Sequence, residues 1–218
     1  MRISVLLPSR GRPVSLVRSI GSLVTNSSDP HRVQVLVGWD DDDPDTATAA
    51  RASTALDIIT VRFPERFGYY QLHRYVNALA ARASGDWLLL WNDDATLVTS
   101  GWDSVIDSHD HTTPLVLSLS STGFGHRLCC FPATSRTLYQ RLGHMSLSPH
   151  IDTWLQDIGR ATGCIRDIPV HVHHDRADLT GGHNDQTRAE ALAGYGRNEF
   201  YDEATQALLR ADIDKVRA

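Results

Sequence analysis

The sequence predicts a single α/β domain built on a mostly parallel central sheet flanked by helices. Short apolar runs at Ile3 to Leu7, Val33 to Val37, Ile58 to Val61 and Trp87 to Trp91 alternate with stretches of helical spacing. The chain has 218 residues, 41% hydrophobic and 22% charged, which is enough for one sizeable core. No repeat, low-complexity tract or linker divides it.

The elements follow in order. Ile3 to Leu7 is the first strand. Pro13 stands at a first helical position, and Val14, Val17, Ile20, Gly21 and Val24 follow with helical spacing. Val33 to Val37 is the second strand, the alanine-rich Thr46 to Leu56 a helix, and Ile58 to Val61 the third strand. From Tyr70, residues Leu72, Tyr75, Val76, Leu79, Ala80 and Ala83 form an amphipathic helix. Gly85 ends it, and the strand Trp87 to Trp91 follows. Leu115 to Leu119 reads as another strand, and Arg127 to Phe131 as one more after the Gly123-Phe124-Gly125 loop. Helices are expected over Thr134 to Leu142 and Ile151 to Ala161, the second with Ile151, Trp154, Leu155 and Ile158 as its apolar face. Ile165 to Val172 is a late strand. Asp175 to Asp185 reads as a mobile polar loop, and Gln186 onward as a terminal helix.

Composition excludes several classes. No apolar run approaches the ~20 residues of a membrane span, and the opening Met1 to Pro8 reads as a strand rather than a signal peptide. Cys129, Cys130 and Cys164 lack metal-ligand spacing and read as reduced thiols, so the cytoplasm is the expected compartment. The net charge of -5 argues against an extensive nucleic-acid surface.

The strongest chemical signal is Trp87-Leu88-Leu89-Leu90-Trp91-Asn92-Asp93-Asp94. A buried strand that ends in two carboxylates needs a cation or polar ligand to compensate them, and open α/β sheets bind ligands at the carboxyl ends of strands. Hard divalent cations such as Mg²⁺ or Mn²⁺ take oxygen ligands and bridge carboxylates to diphosphates. The plainer alternative, a pair of helix-capping aspartates before Gly101-Trp102, accounts for one of the two.

Four further motifs join it. Pro8-Ser9-Arg10-Gly11-Arg12-Pro13 sets two arginines before a helix, suiting an anion or, equally, a solvated basic turn. Asp40-Asp41-Asp42-Asp43 follows the second strand, where Asp40 or Asp41 can accept hydrogen bonds from a ribose or base. Asp152, in the first turn of a helix, is favoured there by the dipole whatever its role and is a candidate general base. In His171-Val172-His173-His174, strand alternation sets His171 and His173 on one face and His174 on the other.

Together these motifs resemble an inverting, family 2-like glycosyltransferase of the GT-A fold, over roughly Ile3 to His174. Asp40-Asp41-Asp42-Asp43-Pro44, Trp91-Asn92-Asp93-Asp94 and Asp152-Thr153-Trp154-Leu155 carry a closer similarity to bacteriophage-encoded members. The resemblance implies transfer of a hexosyl or pentosyl group from a nucleotide-sugar, foremost a UDP-sugar, to an acceptor hydroxyl. It assigns donor binding to Pro8, Ser9, Arg10, Arg12, Asp40, Asp41, Asn77 and Asp93, metal binding (Mn²⁺ or Mg²⁺) to Asp94 and His173, and the catalytic base to Asp152. Asn92 stands where the family's metal motif has its first acid, which leaves Asp94 as the better ligand. Residues 1–100 would form the donor half, 101–185 the acceptor and catalytic half, and 186–218 a helical tail. A hydroxymethylated base in DNA is one candidate acceptor, with Arg127, Arg136 and Arg141 as a local basic patch. Two other functions compete: nucleotidyl transfer to a sugar phosphate, which the absence of a lysine from the first loop counts against, and a non-catalytic nucleotide- or sugar-binding module.

Overall fold

A computed structural model describes residues 2–52, 56–176, 189–190, 192–193 and 202–218. Strands β1 (Ile3–Pro8), β2 (Val33–Asp40), β3 (Asp57–Phe63) and β4 (Trp87–Leu90) form the parallel half of the sheet. Helices α1 (Pro13–Thr25), α2 (Pro44–Arg51) and α3 (Leu72–Ala80) connect them. The second half holds β5 (Ala95–Leu97), α4 (Trp102–Asp107), β6 (Val116–Ser121), β7 (Pro132–Ser135), α5 (Arg136–Leu142), α6 (Ile151–Thr162), β8 (Ile165–His174) and a terminal helix, α7 (Glu203–Arg217). The eight strands make one sheet in the order β3-β2-β1-β4-β7-β6-β8-β5. β7 runs antiparallel to β4 and β6, and β5 antiparallel to β8.

The sheet buries both faces. One face packs Leu7, Leu16, Ile20, Trp91, Trp102 and Val172 together; the other packs Leu6, Leu36, Leu79, Leu88, Trp154 and Leu155. Strands covered on both sides read as continuous apolar runs, which is why β1 to β4 are legible in sequence. Gly85 is required before β4, since a Cβ there would lie 2.6 Å from the Ser4 backbone nitrogen.

The second half departs from expectation in two places. Arg127 to Phe131 is not a strand; the Cys129 amide donates to Gln156 Oε1 at 2.7 Å and leaves no ladder. The strand comes at Pro132–Ser135, and the next helix starts at Arg136 because Ser135 Oγ accepts from the Leu138 amide as an N-cap. The short β5, unanticipated in the sequence, follows Asp94 directly and pairs Ala95 with His174. It ties the acidic motif to the end of the last strand, and the two aspartates do not cap α4, whose N-cap is Gly101. α2 ends at Arg51, short of Leu56, with residues 53–55 outside the described set. The expected loop beyond Arg176, and much of the tail before Asp202, also fall outside it.

Candidate active site

β1, β2 and β4 end on one side of the sheet, and their carboxyl ends open into a cleft. Ser9, Arg12, Asp40, Asp94, Asp152 and His174 all line it. These groups come from five separate stretches of chain.

At the β2 end, Asp40 is buried while Asp41 is exposed. Asp40 Oδ1 accepts from the Tyr75 hydroxyl at 2.6 Å, and Oδ2 from Arg10 Nη1 at 3.2 Å. The buried Tyr75 hydroxyl, pushed up to about 12 by burial and the adjoining carboxylate, stays protonated as a donor. A carboxylate offers about four lone-pair sites, so Asp40 retains capacity for a ligand hydroxyl or N–H. Asp41 instead pairs with Arg62 outside the cleft.

At the β4 end, Asp93 Oδ2 accepts from Ser9 Oγ at 2.7 Å and Oδ1 from Arg12 Nη1 at 3.0 Å. Burial pushes the Asp93 carboxyl up to about 6, against the pull of Arg12 and with the push of Asp94. Asp94 Oδ1 is buried and has no hydrogen bond among the described residues, although His174 Nε2 lies 3.3 Å away. Asn92 Nδ2 also faces that ring nitrogen at 3.4 Å.

This corner fits a divalent cation. A bare carboxylate oxygen and an imidazole nitrogen face each other, and 3.3 Å is close to the separation of roughly 3 Å between adjacent ligands of a six-coordinate ion with ~2.1 Å bonds. No group of three His, Cys, Asp or Glu side chains among the described residues forms a full cage. A cation held there would have to take its other ligands from outside these two side chains, as Mg²⁺ commonly does from water and substrate phosphates.

The histidine beside Asp94 is His174, whereas His173, the expected ligand, is exposed on the other face of the strand. In β8 the buried positions are Ile168, Val170, Val172 and His174, while His171 and His173 are exposed. Their Nδ1 atoms lie 3.4 Å from Ser120 Oγ and Thr122 Oγ1 on the opposite face. Alternation already contained this signal, because His174 is in phase with the apolar positions.

Asp152 sits in the first turn of α6 at intermediate exposure and lines the cleft. Its Oδ1 accepts from the Thr153 amide at 2.8 Å. Burial raises its pKa above the ordinary carboxylate value, opposed by that hydrogen bond and by neighbouring His150 and Arg176. A more basic carboxylate is a better proton acceptor near neutral pH.

Asn77 lies outside the cleft lining. Its Oδ1 accepts from the Met145 and Ser146 amides at 2.8 and 3.3 Å, and its Nδ2 donates to the Ser146 carbonyl at 2.7 Å. It latches the loop that leads into α6 and so acts on the site at one remove. Arg127, Arg136 and Arg141 likewise lie outside the cleft lining. Arg136 bonds the Gly85 and Ala83 carbonyls, Arg141 the Val216 carbonyl, and Arg127 the Gly123 and Phe124 carbonyls. Sequence reasoning overlooked Tyr75, Arg66, Arg176 and Glu190, all of which line the cleft. In sequence Tyr75 reads as part of a helix face, and Glu190, which pairs with Arg66, is 124 residues away from it in the chain.

No family model and no curated protein matches the chain. Solved structures do. The mannosyltransferase PcManGT from Pyrobaculum calidifontis, in complex with GDP-Man and Mn²⁺, aligns with a TM-score of 0.64 at 16% identity, over 99% of this chain and 69% of that one. S. aureus TarS 1-349 aligns with a TM-score of 0.60 at 14% identity, over 78% of this chain and 60% of that one. The fold is that of GT-A glycosyltransferases. TarS 1-349 in complex with UDP-GlcNAc matches too, with a TM-score of 0.58 at 13% identity, over 99% of this chain and 72% of that one. No described helix is long and apolar enough to cross a membrane.

Proposed function

We propose that this GT-A chain is a metal-dependent, inverting glycosyltransferase that moves a hexosyl or pentosyl group from a nucleotide-sugar to an acceptor hydroxyl. The observation that supports it is the convergence of Asp40, Asp94, His174 and Asp152 on one cleft at the strand ends. That PcManGT carries GDP-Man and Mn²⁺, and TarS UDP-GlcNAc, supports the donor class.

In this reading Asp40 accepts from the nucleoside, with Pro8 and Ser9 lining its pocket. Arg10 and Arg12 face the diphosphate, for which guanidinium groups suit bidentate contact. Asp94 and His174 would hold Mn²⁺ or Mg²⁺, which would supply positive charge to offset that on the departing diphosphate. Asp152 takes the acceptor's proton on a carboxylate oxygen as that hydroxyl attacks the anomeric carbon. A single displacement with one base needs no protein nucleophile, and it inverts the configuration. Arg127, Arg136 and Arg141 lie outside the cleft lining, and the acceptor is assigned no further than its hydroxyl.

Thermal shift with UDP- and GDP-sugars, followed by an assay of donor hydrolysis, tests this reading. Stabilisation and slow hydrolysis with Mn²⁺, both lost on chelation, are expected. Binding without hydrolysis would indicate a binding module, and pyrophosphate release from a nucleoside triphosphate would indicate nucleotidyl transfer.

A further inference from the structure

We infer that Arg12 is a built-in counter-ion of the acidic pair, which holds Asp94 back from a divalent cation until a diphosphate draws the guanidinium away. The inference rests on the metal-ligand part of the proposed function.

Arg12 Nη1 lies 3.0 Å from Asp93 Oδ1 and 3.6 Å from Asp94 Oδ2, and the three side chains are only 11%, 8% and 15% exposed. The first contact is a hydrogen bond. The second is too long for one but within ion-pair range, so Asp94 is compensated by charge without its oxygens being saturated. Its other oxygen faces His174 with no hydrogen bond among the described residues. A cation bound there would sit beside a guanidinium shielded from water, where repulsion between like charges is poorly screened.

The loop is built to hold its backbone while the side chain exchanges partners. The Gly11 amide donates to Asp43 Oδ2 at 2.7 Å, Gly11 adopts φ 67°, and the Arg12 carbonyl accepts from the Leu16 amide at 2.9 Å. Left-handed backbone at Gly11 suits a residue without a Cβ. A diphosphate carries more charge than the shared Asp94 oxygen and accepts guanidinium bidentately. Its arrival therefore removes the repulsion that opposes the metal, and the two ligands bind cooperatively, each strengthening the other.

Mn²⁺ binding to the full chain, read as loss of the free-ion EPR signal with and without UDP and corrected for Mn²⁺–UDP in buffer, tests this. Without nucleotide, Arg12→Gln should bind Mn²⁺ at least about fivefold more tightly than wild type, and UDP should tighten it by a smaller factor than in wild type. Unchanged or weaker nucleotide-free affinity in Arg12→Gln overturns the inference. Should that variant fail to fold, Asp93→Asn moves the result in the opposite direction. With the Asp93 contact weakened, more of the Arg12 charge bears on Asp94, and nucleotide-free Mn²⁺ affinity falls; a rise overturns the inference. Mn²⁺ uptake with UDP but no effect of Arg12 sinks this inference alone. No uptake by any form, with or without UDP, sinks the metal reading and this inference with it.

Discussion

The two ends of the cleft employ the same pair of residue types under different solvation. At the β2 end, Arg10 pairs with Asp40 and with Asp42, whose side chain is 62% exposed. At the β4 end, Arg12 pairs with Asp93 and Asp94, all three nearly buried. Water competes for the first arrangement, so Arg10 can exchange carboxylate for ligand at little cost. The second stands in low dielectric, where breaking a pair leaves a buried charge behind. In the proposed reading, an arginine at the open end serves recruitment, whereas one at the closed end governs what else can bind.

The largest effect expected lies outside both pairs. Asp152→Asn should lower turnover by ~10²–10⁴-fold with donor affinity nearly unchanged, checked by steady-state kinetics beside calorimetric donor binding. Equal losses in both would remove Asp152 from the role of base. Next comes the closed end. Asp94→Ala and His174→Ala should each abolish the Mn²⁺-dependent part of donor affinity, while His173→Ala should retain it. A calorimetric series in which His173→Ala behaves like His174→Ala would restore the first assignment.

Stability sharpens the contrast further. Tyr75→Phe removes the hydroxyl that donates to buried Asp40 and also accepts from the Phe67 amide. It should cost about 2 kcal/mol in denaturant unfolding. Arg10→Ala should cost less, since its main partner is solvated. If the two costs are reversed, the open end is not open.

A further effect is in pH. Asp93 is raised from 3.8 to about 6, so the folded state holds its proton more tightly than the unfolded chain does. Its contribution to stability is complete below pH 3.8 and is lost as pH rises through about 6. Asp93→Asn should therefore flatten the metal-free melting curve between those values relative to wild type. A wild-type minus variant difference that does not change with pH would refute the shift.

Periodicity alone was enough to determine the parallel half of the sheet, the amphipathic α3 and α6, and the acidic ends of β2 and β4. These depend on local pattern, and strands buried on both faces announce themselves as apolar runs. The strand expected at Arg127 to Phe131 was misplaced, because the Gln156 side chain takes up the Cys129 amide. The order of the motifs along the chain was legible as well, though not their meeting in one cleft.

Tertiary structure decided which of the adjacent carboxylates Asp40 and Asp41 faces inward, whereas strand alternation already marked His174. One residue of register carries a side chain to the opposite face of a strand. Asp40 ends β2 inside the cleft while Asp41 turns out, and His174 keeps step with Val170 and Val172 while His173 does not. Only the folded chain brings Arg12 against Asp93, 81 residues away, and lets Asn77 bind a distant loop instead of a ligand. Composition determines which charges exist. Burial, which belongs to the assembled fold, determines how strongly each charge is felt and by what.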